Sequence, residues 1–185
     1  VTIHGTISSL TDVDKKYVAA IETALGGALQ NIIVGSEEDA KAAIAYLKRT
    51  HGGRATFLPV SSVKGKRLEN AAQVSREPGF IGIASELISY DKKYDGIFSS
   101  LLGRVVVIDN IDNAIAVSRK YGYRFRAVTL AGDVLNAGGS MSGGSLNKQS
   151  GFLSRAAEIK SLTSEINELS GKMRNVSEEK KSAES

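Results

Sequence analysis

The segment Gly138-Gly139-Ser140-Met141-Ser142-Gly143-Gly144-Ser145 packs four glycines into seven residues. Ordering glycine costs more conformational entropy than ordering any other residue, so a folded site keeps such a run where it needs main chain without side chains. A phosphate nest would use the free amides, a nucleophile turn would expose a serine, and a contact surface would let two backbones approach closely. A phosphate loop requires G-x-x-x-x-G-K-[ST], and Gly65-Lys66 lacks both the upstream glycine and the following hydroxyl. A nucleophile turn requires G-x-S-x-G, and the spacing fails at Ser140 and at Ser142; the two histidines, His4 and His51, sit in no motif that would supply a base. A flexible linker and a glycine-edged interface remain. The stretch before the glycines favours the interface: strand-like Ala127 to Leu130, a turn at Gly132-Asp133 and the apolar pair Val134-Leu135 lead into it. The expectation is an exposed strand edge that another subunit completes.

Other chemistries find less support. Cysteine is absent and histidine occurs twice, so neither a disulfide framework nor a zinc site of the usual ligand types can be assembled, and a reducing compartment fits. Glu37, Glu38, Asp39, Asp109, Asp112 and Asp133 offer carboxylates for acid-base or metal work, but several stand where helix caps and turns already use them. The net charge is +4, and the segment from Phe152 onward sums to zero, so the excess lies earlier. Lys48, Arg49, Arg54, Lys64, Lys66 and Arg67 follow one another with no acidic residue between them. That run reads either as a positive surface for nucleic acid or as ordinary solvated side chains on a helix end and a loop. No stretch reaches the run of about eighteen apolar residues that spans a bilayer, and the start at Val1 has no secretory pattern, so a soluble, unsecreted chain is expected.

A duplicated unit positions these residues. Asp14-Lys15-Lys16-Tyr17 through Leu25-Gly26 is echoed by Asp91-Lys92-Lys93-Tyr94 through Leu102-Gly103. In each copy an Asp can cap a helix with one apolar face: Val18, Ile21 and Leu25 in the first, Tyr94, Phe98, Leu101 and Leu102 in the second. A glycine should then close it as a left-handed cap. Short β-branched runs follow, Ile32 to Val34 and Val105 to Ile108, dense enough for buried strands. A second helix opens at Ser36, with Asp39 in a capping-box-like pattern, and turns Ala40, Ala43, Ile44 and Leu47 inward. Its counterpart opens near Asp112, carries Ala114, Val117 and Tyr121 and stops at Gly122. Both copies end with a basic residue leading an extended segment, Arg54 to Leu58 and Arg126 to Leu130. Between them, Val60 to Pro78 reads as a polar, basic connector with a short helix near Leu68 to Val74.

The end of the chain differs in kind. Ile159, Leu162, Ile166, Leu169, Met173 and Val176 alternate steps of three and four, the seam of a heptad repeat. So narrow a stripe calls for a partner helix, which this chain does not supply; the alternative is one amphipathic helix packed back on the globular part. A seam whose mate lies elsewhere, together with the abrupt start at Val1, reads as an excised piece of a longer protein.

Three phrases in order now carry a resemblance: Ala24-Leu25-Gly26-Gly27-Ala28-Leu29-Gln30-Asn31-Ile32, then Gly53-Arg54-Ala55-Thr56-Phe57-Leu58-Pro59, then Gly132-Asp133-Val134 leading to the glycine cluster. Over nearly all of residues 1 to 151 the chain resembles the hinge of bacterial SMC (structural maintenance of chromosomes, condensin-like) proteins, and the heptads resemble the start of the returning coiled-coil arm. The resemblance implies an α+β (mixed α/β) fold: two pseudo-repeated subdomains with small mixed sheets and packed helices, then a coiled-coil helix. The spans are 1–60 for subdomain I, 61–79 for the connector, 80–151 for subdomain II and 152–185 for the coiled-coil segment. It also implies a homodimer in which subdomain I of each protomer meets subdomain II of the other, with Gly138, Gly139, Gly143 and Gly144 at the contact. Lys48 and Arg49 match the family's basic pair for DNA, and Arg54 extends it. Ala137 departs from the proline the family usually has before the glycines, which would loosen the turn.

The expected function is a non-catalytic dimerisation hinge of a cytoplasmic, nucleoid-associated chromosome condensation and segregation protein. ATPase heads outside this chain would do the chemistry, and DNA binding would be weak, electrostatic and without base readout. An antiparallel coiled-coil partner helix is expected, and no cofactor, metal or membrane. The alternative is a ligand-sensing α/β domain that holds an anion at the glycine loop and signals through a helix.

Overall fold

The computed structural model describes residues 1–145 and 151–183; residues 146–150, within the expected second subdomain, and the last two of the expected coiled-coil segment lie outside the described residues. The first half runs β1 (Ile3–Thr6), β2 (Asp12–Val13), α1 (Val18–Leu25), β3 (Ile32–Val34), α2 (Glu37–Thr50) and β4 (Phe57–Pro59). The second runs α3 (Ala71–Val74), β5 (Phe80–Ile83), β6 (Ile88–Ser89), α4 (Asp95–Leu102), β7 (Val105–Ile108), α5 (Ile111–Lys120) and β8 (Arg126–Thr129). It then adds β9 (Val134–Leu135) and β10 (Met141–Ser142) before the long helix α6 (Phe152–Ala183).

The repeat is structural. Asp14 and Asp91 each accept the amide two residues on, from Lys16 and Lys93, at 3.1 Å. Each opens a 3-10 turn that leads into α1 or α4. The second lysine of each pair lies over the adjacent tyrosine, Lys16 over Tyr17 at 4.8 Å and Lys93 over Tyr94 at 4.9 Å. α2 begins with a complete capping box: the Ser36 hydroxyl accepts the Asp39 amide at 3.2 Å, and the Asp39 carboxylate accepts the Ser36 amide at 3.1 Å. Asn110, two residues ahead of Asp112, caps α5 by accepting the Asn113 amide at 2.9 Å. The expectation that a left-handed helical glycine closes both copies fails in both: Gly26 has a positive φ of +51° but ψ −129°, outside the left-handed helical region, and Gly103 has φ −67°, ordinary right-handed backbone. Gly103 is bare for another reason: a Cβ there would run into the carbonyls of Lys66 and Ser99, because the connector passes against the helix end and the Leu68 amide donates to the Gly103 carbonyl at 3.0 Å.

In one sheet β3 lies between β1 and β4, antiparallel to β1 and parallel to β4; in the other β7 lies between β5 and β8 in the same way. Even the irregularities match, with a register shift between Ile3 and Gly5 in β1 and between Phe80 and Gly82 in β5. The second sheet alone continues outward through β9 to β10. β2 and β6 pair antiparallel, Asp12 opposite Ser89 and Val13 opposite Ile88, so the halves are stitched together directly.

Alternation along the second sheet divides the core. Val105, Val107, Val128 and Val134 face a cluster that also holds Ile7, Ile21, Leu25, Leu29, Ile33, Phe98, Leu102 and Leu153, residues from both halves. Val106, Ile108, Ala127 and Leu135 face Val74, Ala114, Val117 and Phe125 on the opposite side. The connector is less polar in place than in sequence, since Val74 is fully buried and Val63 and Leu68 pack against the cores. One core assignment is corrected: Ile44 is 42% exposed. The first sheet is three strands wide, and α2 overhangs its edge strand β4, leaving Ile44 in a groove beside Ala40, Pro59 and Ser62.

Candidate interface and basic surface

The four glycines occupy a hairpin that forms the rim of the larger sheet. Met141 pairs with Leu135 and Ser142 with Val134, so β10 is outermost, and Met141 is 50% exposed. The loop is closed by Asn136, whose amide donates to the Ser140 carbonyl at 2.8 Å and whose carbonyl accepts the Gly139 amide at 3.0 Å. The Gly138 amide donates to the Tyr123 carbonyl at 3.0 Å. Tyr123 has φ +54°, a left-handed conformation uncommon outside glycine, and its ring faces Gly139. Gly138, Gly139 and Gly144 have φ of +90°, +96° and +134°, where any L side chain would be strained. Gly143 is bare for a steric reason, since a Cβ there would lie 2.5 Å from the Asp133 carboxylate. With the amides of Gly138 and Gly139 spent on carbonyls, those two residues offer no nest to an anion.

Three of the six carboxylates considered for acid-base work, Asp39, Asp109 and Asp133, have structural partners, while Glu37, Glu38 and Asp112 lie in the first turns of α2 and α5. Asp39 belongs to the capping box and also accepts the Thr2 amide at 2.9 Å. Asp109 accepts the Asn110 amide at 2.7 Å and the Asn113 side chain at 2.8 Å. Asp133 accepts the Thr129 hydroxyl at 2.9 Å while its own amide donates back to that hydroxyl at 3.0 Å. Among the described residues no group of three or more His, Cys, Asp or Glu is placed to hold a metal, and no helix is long and apolar enough to cross a membrane.

The positive run divides in two. Lys48 and Arg49 stand exposed in the last turn of α2, and Arg54 is exposed on the segment leading to β4. None of the three pairs with a carboxylate among the described residues; Arg49 lies over the exposed Tyr46 ring at 5.6 Å. Arg67, by contrast, is held by Asp95 at 3.0 Å and Glu86 at 4.0 Å. Asp95 also accepts the Tyr90 hydroxyl at 3.0 Å. Burial, and then that bond, push the Tyr90 hydroxyl above its ordinary value.

Two side chains whose long-range contacts no sequence pattern shows, Glu22 and Arg126, join the parts. Glu22, on α1, accepts the Leu153 amide at 2.6 Å, the Ser154 amide at 3.3 Å and the Ser154 hydroxyl at 3.0 Å, which caps the start of α6. No local motif announces that role. Arg126 occupies the repeat position of Arg54 yet reaches across to the C-terminal end of α1. The seam residues Ile159, Leu162, Ile166, Leu169, Met173 and Val176 are all 50% exposed or more. α6 therefore rests on the body at its root and leaves the seam uncovered.

Two fused α/β units, a glycine-rimmed sheet edge and a helix that leaves the core with its seam exposed together define the module. Residues 1–118 match the family model of the flexible hinge domain of SMC proteins, and the chain belongs to that family. It is 43% identical to the chromosome partition protein Smc of Desulfitobacterium hafniense over 89% of its own length and 38% identical to that of Bacillus subtilis over 92%. It spans only 14% and 15% of those two relatives. Among solved structures, an asymmetric dimer of the Geobacillus stearothermophilus SMC hinge domain superposes with a TM-score of 0.84 at 43% identity, covering 92% of this chain and 69% of that one. The Pyrococcus furiosus SMC hinge domain follows at 0.66 and 33%, covering 78% and 73%. The chain is thus a hinge domain, and the hinge is not a catalytic unit.

Proposed function

We propose that this chain is the homodimerisation hinge of a cytoplasmic, nucleoid-associated chromosome condensation and segregation protein, joining two coiled-coil arms while ATPase heads elsewhere in the full-length protein do the chemistry. The observation that carries this reading is β10, a short exposed edge strand flanked on both sides by paired glycines. The surface we assign to receive it lies on the other half of the chain, the groove between α2 and the edge strand β4 with the exposed Ile44 standing in it. A hairpin on subdomain II and a groove on subdomain I let two copies close a two-fold ring through two equivalent contacts. Bare main chain at Gly138, Gly139, Gly143 and Gly144 permits the close approach, and the dimer of the Geobacillus hinge supports it. The exposed seam of α6 is where an antiparallel partner helix of the arm packs. Lys48, Arg49 and Arg54 provide a secondary, non-specific contact to the DNA backbone, with no base readout.

Sedimentation equilibrium tests the dimer. The chain is expected at twice its 19.6 kDa mass. Gly138→Asn combined with Met141→Asp is expected to run as a folded monomer, because Asn tolerates left-handed backbone while its side chain and the new charge obstruct the edge. A monomeric wild-type chain at high micromolar concentration would sink the reading.

A further inference from the structure

We infer that Glu22 sets the direction in which the arm leaves the hinge. The inference rests on α6 being the root of an arm. A single carboxylate, 131 residues earlier in the chain than the first amide it accepts, takes three hydrogen bonds from the first turn of α6. Those amides point along the helix axis, so holding them fixes the axis as well as the position. The fit is tight. A Cβ on Gly151 would collide with both carboxylate oxygens of Glu22, so residue 151 must be bare for the carboxylate to reach the helix end. Leu153, next to the contact, is 3% exposed and seated in the core shared by both halves, which prevents the root from sliding.

Beyond this turn, among the described residues, Ala157 packs against the shared core and the helix then leaves the body. An open cleft separates α6 from α1 and the β2–β6 ribbon, with Val18, Ala19 and Leu87 on one wall and Ala157, Ser161 and Leu162 on the other. An exposed ion pair crosses it, Lys160 to Asp12 at 2.8 Å, between side chains 73% and 63% exposed. Solvent screens such a pair, so it steers the helix weakly. The arm is a lever whose fulcrum is the Glu22 contact, and Glu22 sits on α1, a helix packed in the middle of the hinge core.

Spin labels on Ser100→Cys, exposed on α4, and Ser170→Cys, exposed on α6, measure the arm direction within one chain, and the absence of native cysteine keeps the labelling clean. Diluting labelled chains into excess unlabelled chain leaves only the intramolecular distance, so the result does not depend on whether the hinge dimerises. Glu22→Ala is expected to widen the distance distribution roughly twofold, while Glu22→Gln, whose amide oxygen still accepts the Leu153 amide, stays as narrow as wild type. Gly151→Ala attacks the same contact from the arm side, outside the α1 packing, and is expected to widen it equally; should Glu22→Ala fail to fold, this variant decides. Widths unchanged in Gly151→Ala and in any folded Glu22→Ala protein overturn the inference, as does a Glu22→Gln protein as broad as the alanine variant.

Discussion

The guanidinium of Arg126 donates from Nη1 to the carbonyl oxygen of Ala24 at 2.8 Å, and from Nη2 to that of Thr23 at 3.4 Å. A cation at a helix C-terminus satisfies carbonyls that have no partner within the helix and complements the helix dipole. Arg126 is half-buried, its Nε lacks a partner among the described residues, and burial lowers its pKa from the ordinary guanidinium value. The side chain thus gives up solvation to tie β8 to α1.

Arg126→Ala should therefore cost about 2 kcal/mol, typical for losing hydrogen bonds to a charged donor. In a chain of this size that lowers the melting temperature by roughly 4–8 °C in calorimetry. Arg54→Ala, at the exposed equivalent position, should leave the melting temperature unchanged; equal losses at the two sites would mean that the bonds to α1 contribute nothing.

Asp39 makes stability depend on pH. The Thr2 amide, the largest influence, holds its carboxyl below the usual carboxylate value of 3.8; desolvation, next in size, opposes it, and the hydroxyl and amide of Ser36 add to the lowering. A depressed folded-state pKa contributes stability that is fully present above the unfolded value and disappears as pH falls through the folded one. Asp39→Asn is expected to melt below wild type at pH 6, and the two curves should converge once the pH drops well below 3.8. A gap that persists at pH 2.5 would assign the loss to geometry and not to charge.

The duplicated helix–strand–helix–strand unit could be read from the sequence because its elements carry local signals: an Asp or Ser cap, a one-sided apolar helix face, a β-branched run. β1 and β5 could not, because Ile3 to Thr6 and Phe80 to Ile83 are short, interrupted by Gly5 and Gly82, and become strands only by pairing with β3 and β7. The glycine edge was legible because four glycines together have few structural uses. Glu22 and Arg126 were not, since each acts on main chain more than 100 residues away. Ile44 shows the converse limit: its helical spacing marks a core face, but a sheet three strands wide does not extend far enough to cover it.

If Lys48, Arg49 and Arg54 meet DNA phosphates, affinity should fall linearly with salt on logarithmic axes, by about 0.9 per phosphate neutralised on a duplex. Changing Lys48 and Arg49 to Glu should then weaken binding in fluorescence anisotropy and flatten that slope by about 2. An unaltered slope would remove the basic pair from any nucleic-acid contact.

The glycines differ in why they are bare, and that difference can be measured. Gly138 has open space around it in the protomer but a left-handed backbone, so Gly138→Ala should strain the loop wherever the partner is. Gly143 has no such backbone constraint; its obstacle is the Asp133 carboxylate, itself locked to Thr129. Gly143→Ala must push Asp133 off that bond and should destabilise the isolated protomer. Removing the obstacle should remove the penalty: in an Asp133→Ala background, Gly143→Ala should cost markedly less, a coupling of about 1 kcal/mol or more in a double-mutant cycle from urea denaturation. Additive losses would show that the Asp133 carboxylate is not what keeps residue 143 bare, leaving contact with a second subunit as the remaining reason for the glycine.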